Sequence, residues 1–225
     1  SDEIVKAFIE KSSRNGIDVF RTFDALNDFS NIELSIKEVK KNGMHAQGAM
    51  AYTVSPVHTL NSWLDLAKQI EDAGADSVAI KDMAGLLKPN AAFELVSELK
   101  QNISIPVHMQ THATTGFSTA TNMKAIEAGI DNIDTSISSM SMTYGHTATE
   151  TIVSMFDDTK IFSAIDKNLF PELSSHFKKV RKKYELYEGS LKGVDASMLI
   201  NQVPGGMLSN LESQLREMDA DDRFE

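Results

Sequence analysis

Ala73-Gly74-Ala75-Asp76-Ser77-Val78 joins the end of an amphipathic helix to an apolar run, and this junction recurs along the chain. A glycine followed at once by an apolar or β-branched run occurs at Gly16, Gly43, Gly74 and Gly129. Glycine adopts the left-handed backbone that caps a helix without steric cost. The pattern therefore predicts helix–strand units in series.

The spacing of these glycines predicts five strands. Successive glycines are 27, 31 and 55 residues apart, and the last interval is about twice the others, so a further unit belongs near residue 102. The runs are apolar on consecutive positions, which is typical of strands buried on both faces. The predicted strands are Asp18–Phe23, Met44–Tyr52, Ser77–Lys81, Ile105–Thr111 and Asn132–Ile137.

Strands that alternate with helices such as Thr59–Ala73 indicate a parallel sheet with right-handed crossovers. The fold class is therefore α/β, and we predict a partial (β/α)8 TIM barrel in which about five of eight βα units are visible. Residues 1–150 form this barrel, its N-terminal strands missing, and residues 151–225 form a C-terminal helical extension. An open, doubly wound sheet is the alternative.

Composition excludes several functions. The formal net charge is −10, which is unfavourable for binding nucleic acid or anionic membranes. Cysteine is absent, so disulfides and thiolate chemistry are excluded. No apolar run reaches the roughly 18 residues of a membrane span, and we expect a cytoplasmic protein. The basic run at 178–183 is interpreted as a solvated helix face.

Polar side chains cluster where the predicted strands end, which is where parallel α/β folds carry their sites. Lys81 could form a Schiff base, bind an anion or become carbamylated and bind a metal, or it could pair with Asp82. Arg21 suits a bidentate clamp on a substrate carboxylate, with an ion pair to Asp24 as the alternative.

The fourth strand carries His108, Gln110 and His112 at spacing two, so their side chains share one face. Imidazoles at this spacing can hold one metal ion, although the middle residue is glutamine, a weak neutral ligand. The alternative is that His112 belongs to a structural polar network.

The chain resembles the biotin-dependent carboxyltransferase family, with greatest similarity to the oxaloacetate decarboxylase α subunit and the B subunit of pyruvate carboxylase. The resemblance rests on five motifs that occur in this order over nearly the whole chain. They lie at 16–28, 80–89, 112–116, 138–146 and 204–208.

This resemblance implies a barrel with a helical extension that transfers a carboxyl group between oxaloacetate, giving pyruvate, and biotin on a separate carrier domain. It implies that Lys81 is catalytic and carbamylated, and that Lys81, Gln110 and His112 occupy the positions of metal ligands. Arg21 occupies the position of a substrate-carboxylate ligand. The implied ion is zinc, with manganese or cobalt as alternatives. Homo-oligomers or association with other subunits are expected, and partner subunits could bring the protein to a membrane.

Three departures from the family pattern predict impaired activity. Gln110 stands where a metal-binding histidine is expected. The strand with an aspartate ligand and the C-terminal segment with a proton-shuttling threonine are both absent. The chain also has no biotinyl Met-Lys-Met segment. A non-catalytic fragment or decayed paralogue is therefore one alternative, and a metal-dependent aldol-type lyase on the same barrel is another.

Overall fold

The computed structural model describes residues 1–162 and 164–220. Strands alternate with helices along the first part of the chain, and helices follow. The strands are β1 Val19–Phe23, β2 His45–Ala51, β3 Ser77–Asp82, β4 Val107–Thr111 and β5 Asn132–Ile133. The helices are α1 Asp2–Arg14, α2 Ser30–Lys41, α3 Leu60–Asp72, α4 Pro89–Asn102, α5 Ser118–Glu127, α6 Thr149–Met155, α7 Phe170–Lys183, α8 Met198–Asn201 and α9 Gly205–Glu217.

The five strands form one sheet in the order β1-β2-β3-β4-β5, and β1 with β2, β2 with β3 and β4 with β5 pair in parallel. Each strand is the neighbour of the next one along the chain. This is the order of a barrel wall, whereas a doubly wound sheet reverses direction at a switch point. The predicted five-stranded parallel sheet and the barrel-type order are confirmed.

The fifth strand is shorter than the predicted Asn132–Ile137, because the backbone after Ile133 finds other partners. The amide of Ser136 donates to the Thr147 carbonyl at 3.0 Å, and the Ser136 carbonyl accepts from the Thr149 amide at 2.8 Å. These bonds form an isolated parallel bridge between Ser136 and Ala148. The segment therefore pairs with the start of α6.

The predicted glycine caps are confirmed, since Gly16, Gly43, Gly74 and Gly129 all have φ between +74° and +93°. The predicted helix Thr59–Ala73 is confirmed as α3 with Thr59 and Ala73 as its caps.

The outer face of the sheet is covered closely by helices. A Cβ placed on Gly48 of β2 would lie 2.5 Å from Ile70 Cγ2 of α3. Glycine at this position therefore lets the helix approach the strand backbone. Ile36, Ile70 and Val78 are fully buried in this layer.

Two aspartates that follow a capping glycine fasten neighbouring strands at their amino ends. Asp76 accepts the amide of Ala46 at 2.8 Å and pairs with Lys40. Asp131 accepts the amide of Val107 at 2.8 Å and pairs with Lys100 at 2.6 Å. We call these two carboxylates the amino-end clamps.

The chain divides into two compact units. The first comprises Ser1–Asp82, Pro89–Gln110 and Lys124–Ile133, and the second comprises Met83–Lys88, Thr111–Met123 and Asp134–Glu225. The first unit holds nearly all of the sheet. The boundary at residue 150 between barrel and helical extension stays a prediction.

The basic run at 178–183 lies on α7, in the second unit, and differs in part from its interpretation as a solvated face. Its four lysines are exposed, but Arg181 is half-buried. The Arg181 guanidinium pairs with the Glu188 carboxylate at 2.5 Å and donates to the Ser139 carbonyl at 3.1 Å. Arg181 therefore helps to pack the second unit. Among the described residues, no helix is both long and apolar enough to cross a membrane.

Candidate functional site

Lys81 lies near the carboxyl end of β3, where its side chain contacts two groups of the first unit. Its Nζ donates to Gln110 Oε1 of β4 at 3.1 Å. It also lies 4.7 Å from the ring centre of Phe23, the last residue of β1. A cation over an aromatic face is favourable. The predicted approach of Lys81 to Gln110 is therefore present, and the aromatic contact was not predicted.

Arg21 of β1 is held by two polar side chains, Gln47 of β2 and His108 of β4. Together with Ser77 of β3, these residues form what we call the Arg21 ladder. Arg21 Nε donates to Gln47 Oε1 at 2.5 Å, and its Nη2 lies 3.1 Å from His108 Nε2. Since a guanidinium only donates, His108 Nε2 accepts this bond. Gln47 Nε2 in turn donates to Ser77 Oγ at 2.9 Å.

Strand register explains this ladder. Arg21 is opposite Gln47, and Gln47 is opposite Ser77 in the next strand. Partners in register point to the same face of the sheet, so their side chains meet. Gln47 was not predicted as a site residue, although its alternation with apolar Ala46 on a buried strand was a signal for an inward-facing amide.

Two further residues near strand ends have shifted pKa values. Burial, with a smaller contribution from the charge of Asp82, raises the pKa of Tyr52 above its ordinary value of 10.0. Asp24 accepts the amides of Asp28 and Leu26, and these bonds lower the pKa of its carboxyl, with Asp28 contributing most. Asp24 therefore caps the loop between β1 and α2.

His112 lies in the second unit, directly after β4. Its Nδ1 is 2.7 Å from the carbonyl oxygen of Tyr144, within the motif at 138–146. Its ring lies 4.7 Å from that of His146, centre to centre, with a tilt of 41°. His146 was missed as a neighbour of His112, because the sequence does not show how the loop turns back towards β4.

The described residues contain no group of three or more histidine, cysteine, aspartate or glutamate side chains that could hold a metal ion. The metal ligands predicted from the sequence would not form such a group, because one of them is a carbamate on Lys81 and another is the neutral amide oxygen of Gln110. Lys81, Gln110 and Arg21 belong to the first unit and His112 to the second. Their roles at a site stay predictions.

Comparison with known proteins places these residues in a family context. The HMGL-like family model matches residues 4–176. The pyruvate carboxylase B subunit of Methanocaldococcus jannaschii is 49% identical over 225 residues, covering 100% of this chain and 40% of that protein. The methylmalonyl-CoA carboxyltransferase 5S subunit of Propionibacterium freudenreichii is 45% identical, covering 100% of this chain and 45% of that protein.

The fold matches a solved structure equally well. The carboxyl transferase domain of Rhizobium etli pyruvate carboxylase, solved with pyruvate, superposes with a TM-score of 0.94 at 32% identity, covering 99% of this chain and 39% of that one. A further structure of that domain contains oxamate and biotin. The chain thus spans less than half the length of these proteins. The resemblance to carboxyltransferases is confirmed, and the particular similarity to oxaloacetate decarboxylase stays a prediction.

Proposed function

Because the chain belongs to the HMGL-like family, we propose that it is a carboxyltransferase component that moves a carboxyl group between oxaloacetate and biotin, releasing pyruvate. Biotin would come from a separate carrier domain. The matched proteins include pyruvate carboxylases and a carboxyltransferase, and one matched structure holds biotin. These relatives favour carboxyl transfer over the aldol-type alternative.

The observation that carries the proposal is the Arg21 ladder, which runs across β1 to β4 in the sheet that also carries Lys81. Gln47 and His108 fix the guanidinium through two of its donors. A guanidinium held in one orientation loses less entropy on binding a carboxylate, and its planar fork suits bidentate pairing. We assign Arg21 the carboxylate of oxaloacetate.

Lys81 is the proposed catalytic residue. As an unmodified, protonated ammonium group it would carry a compact charge next to the reacting carboxylate, and it would have to lose that proton before it could react with carbon dioxide. As a carbamate, formed when Nζ adds carbon dioxide and loses a proton, it would supply anionic oxygens. Gln110 Oε1 is already 3.1 Å from this nitrogen and would then lie beside them.

The residues suited to a divalent ion are the carbamate of Lys81, Gln110 and His112. The His112 ring fits this role, because its Nδ1 is bonded to a carbonyl and Nε2 therefore carries the lone pair. When bound, the ion supplies Lewis acidity that polarises the keto group and stabilises developing enolate charge. Gln110 is a weaker ligand for zinc than imidazole, so zinc affinity and turnover should be lower than with histidine at this position.

A non-catalytic role is the second candidate. Gln110, 5% exposed, favours it, since a neutral amide stands at a position where an imidazole is expected. A protein of this kind would still fold and associate with other subunits, and homo-oligomers remain part of this proposal.

Pyruvate release separates the two candidates. The chain is mixed with oxaloacetate, free biotin and Zn²⁺ or Mn²⁺, and pyruvate is followed through a coupled lactate dehydrogenase assay. We expect release above the spontaneous rate that depends on biotin. Mass spectrometry should also find one carbon dioxide added at Lys81. Release that is no faster with biotin than without it, both in this chain and in Gln110→His, would overturn the proposed carboxyl transfer, and release at only the spontaneous rate would favour the non-catalytic role.

A further inference from the structure

Two histidines of the second unit hold each other's backbone in a reciprocal arrangement. His112 Nδ1 lies 2.7 Å from the carbonyl oxygen of Tyr144. His146 Nδ1 lies 3.1 Å from the carbonyl oxygen of Thr111. Each ring thus binds the chain segment that carries the other ring. We call His112 and His146 the imidazole pair.

These bonds select the same tautomer in both rings. A carbonyl oxygen only accepts hydrogen bonds, so each Nδ1 facing one must carry a hydrogen. The lone pair of each neutral ring is then on Nε2. A histidine that binds a metal through Nε2 commonly donates its Nδ1 hydrogen to a backbone carbonyl in this way, which fixes the ring and its ligating nitrogen.

The two rings also lie close enough to share a ligand. Their centres are 4.7 Å apart with a 41° tilt. Two imidazoles on one ion lie in such proximity, because each metal–nitrogen bond is only about 2.0–2.1 Å long. Neither residue is fully buried, and both are partly exposed to solvent.

The loop that carries His146 is held in place by its own backbone. The amide of Met142 donates to the His146 carbonyl at 2.7 Å, and the amide of Ala113 donates to the Gly145 carbonyl at 2.9 Å. Met142 and Thr143 have φ of 65° and 52°, a left-handed turn that reverses the chain. The second ring is therefore presented by a defined turn next to the end of β4.

We propose that His112 and His146 form a two-imidazole site for a divalent transition metal, in which His146 is a ligand. The identification of this ion with the metal of the carboxyl-transfer reaction rests on the proposed function. In that case His146 supplies an imidazole to a chain that has glutamine at position 110. Imidazole pairs suit zinc, copper and nickel.

His146→Asn tests ligation separately from folding. The asparagine Nδ2 takes the place of Nδ1 and can still donate to the Thr111 carbonyl, but the variant has no Nε2. His58→Asn is the matched control, since His58 is also partly exposed and its Nδ1 contacts Ser55 Oγ at 2.7 Å. The chain is stripped with EDTA and titrated with Zn²⁺ by calorimetry, and its Cu²⁺ form is examined by electron paramagnetic resonance.

We expect His146→Asn to bind Zn²⁺ at least about tenfold more weakly than the unsubstituted chain, while His58→Asn binds as before. Coupling from two ring nitrogens to Cu²⁺ should fall to coupling from one. A measurement on the unsubstituted chain avoids any effect of a substitution on folding. In its ¹⁵N spectrum, Zn²⁺ should shift the Nε2 resonance of His146. Absence of Zn²⁺ binding, equal binding by His146→Asn, or an unmoved His146 resonance would each overturn the imidazole pair as a metal site.

These results separate the two proposals. If His146→Asn keeps its metal while biotin-dependent pyruvate release continues, the imidazole-pair proposal fails and the proposed function stands. If the unsubstituted chain binds metal through His146 but releases no pyruvate with biotin, the proposed function fails and the metal site stands.

Discussion

The two ends of the sheet in the first unit use polar side chains for different purposes. At the amino end, the clamps Asp76 and Asp131 each bind one lysine and one strand amide, so charge and hydrogen bonding are balanced locally. At the carboxyl end, Lys81 is a cation that contacts an amide oxygen and an aromatic ring. Arg21, the central residue of β1 and not at its end as predicted, contacts an amide oxygen and an imidazole. The first arrangement serves stability, and the second belongs to the site that we propose for carboxyl transfer.

The difference between the two ends predicts that Lys81→Ala produces the largest loss of function. Biotin-dependent carboxyl transfer should be abolished, because the substitution removes the nitrogen that forms the carbamate and its charge. Stability should change little, since the side chain is only partly buried. Pyruvate release and thermal unfolding, measured together, check both statements.

Lys68→Ala is the matched control, because Lys68 is an exposed lysine of α3 in the same unit. It should retain full activity. Retained biotin-dependent turnover in Lys81→Ala would remove Lys81 from the mechanism and, with it, the distinction between the two ends.

His108→Phe should weaken the binding of substrate by Arg21. The variant removes the acceptor of Arg21 Nη2, and a hydrogen bond to a charged group contributes about 1.5–3 kcal/mol. We expect KM for oxaloacetate to rise about tenfold or more, with kcat much less affected. Steady-state kinetics check this expectation.

His108→Gln should recover part of the affinity, since its amide oxygen can accept from the guanidinium. His58→Phe is the control, because His58 lies outside the Arg21 ladder and its Nδ1 contacts Ser55 Oγ at 2.7 Å. An equal rise of KM in both phenylalanine variants would show that general packing is responsible.

Gln110→His should raise metal affinity by about tenfold, since imidazole replaces a neutral amide among the proposed ligands. Zinc titration of the EDTA-treated chain measures the change. Gln69→His, at an exposed position of α3, controls for added histidine alone. Equal zinc affinity in Gln110→His and the unsubstituted chain would count against position 110 as a ligand.

Periodicity and glycine spacing were sufficient to predict the parallel sheet, because capping glycines and buried strands follow from local backbone preferences. They favoured the barrel order of the strands but left a doubly wound order as the alternative. The approach of Lys81 to Gln110 was also predictable from their places near adjacent strand ends. The Phe23 contact and the His146 ring were not, because they depend on side-chain direction and on a loop with left-handed residues Met142 and Thr143. The end of β5 was missed for the same reason, since Ser136 bonds to residues beyond that loop.

Asp76→Ala tests the amino end, where the effect should fall on stability alone. The variant leaves the amide of Ala46 without its acceptor, which costs about 1–3 kcal/mol, while the partly exposed pair with Lys40 adds little. Chemical denaturation should show this loss, with activity per folded molecule unchanged. Asp72→Ala, an exposed aspartate at the end of α3, should stay within about 0.5 kcal/mol of the unsubstituted chain.

The pH dependence of this difference sharpens the test. Burial raises the pKa of Asp76, but hydrogen bonds from Lys40 and the Ala46 amide outweigh it and hold the pKa below its ordinary value of 3.8. A carboxyl whose pKa is lowered by folding contributes its stability above the ordinary pKa and loses it as pH falls through the folded-state pKa. The gap between the unsubstituted chain and Asp76→Ala should therefore be constant near neutral pH and shrink below about pH 4. A gap that grows on acidification would mean that the carboxylate is not stabilised by folding, and the amino end would then lose its assigned role.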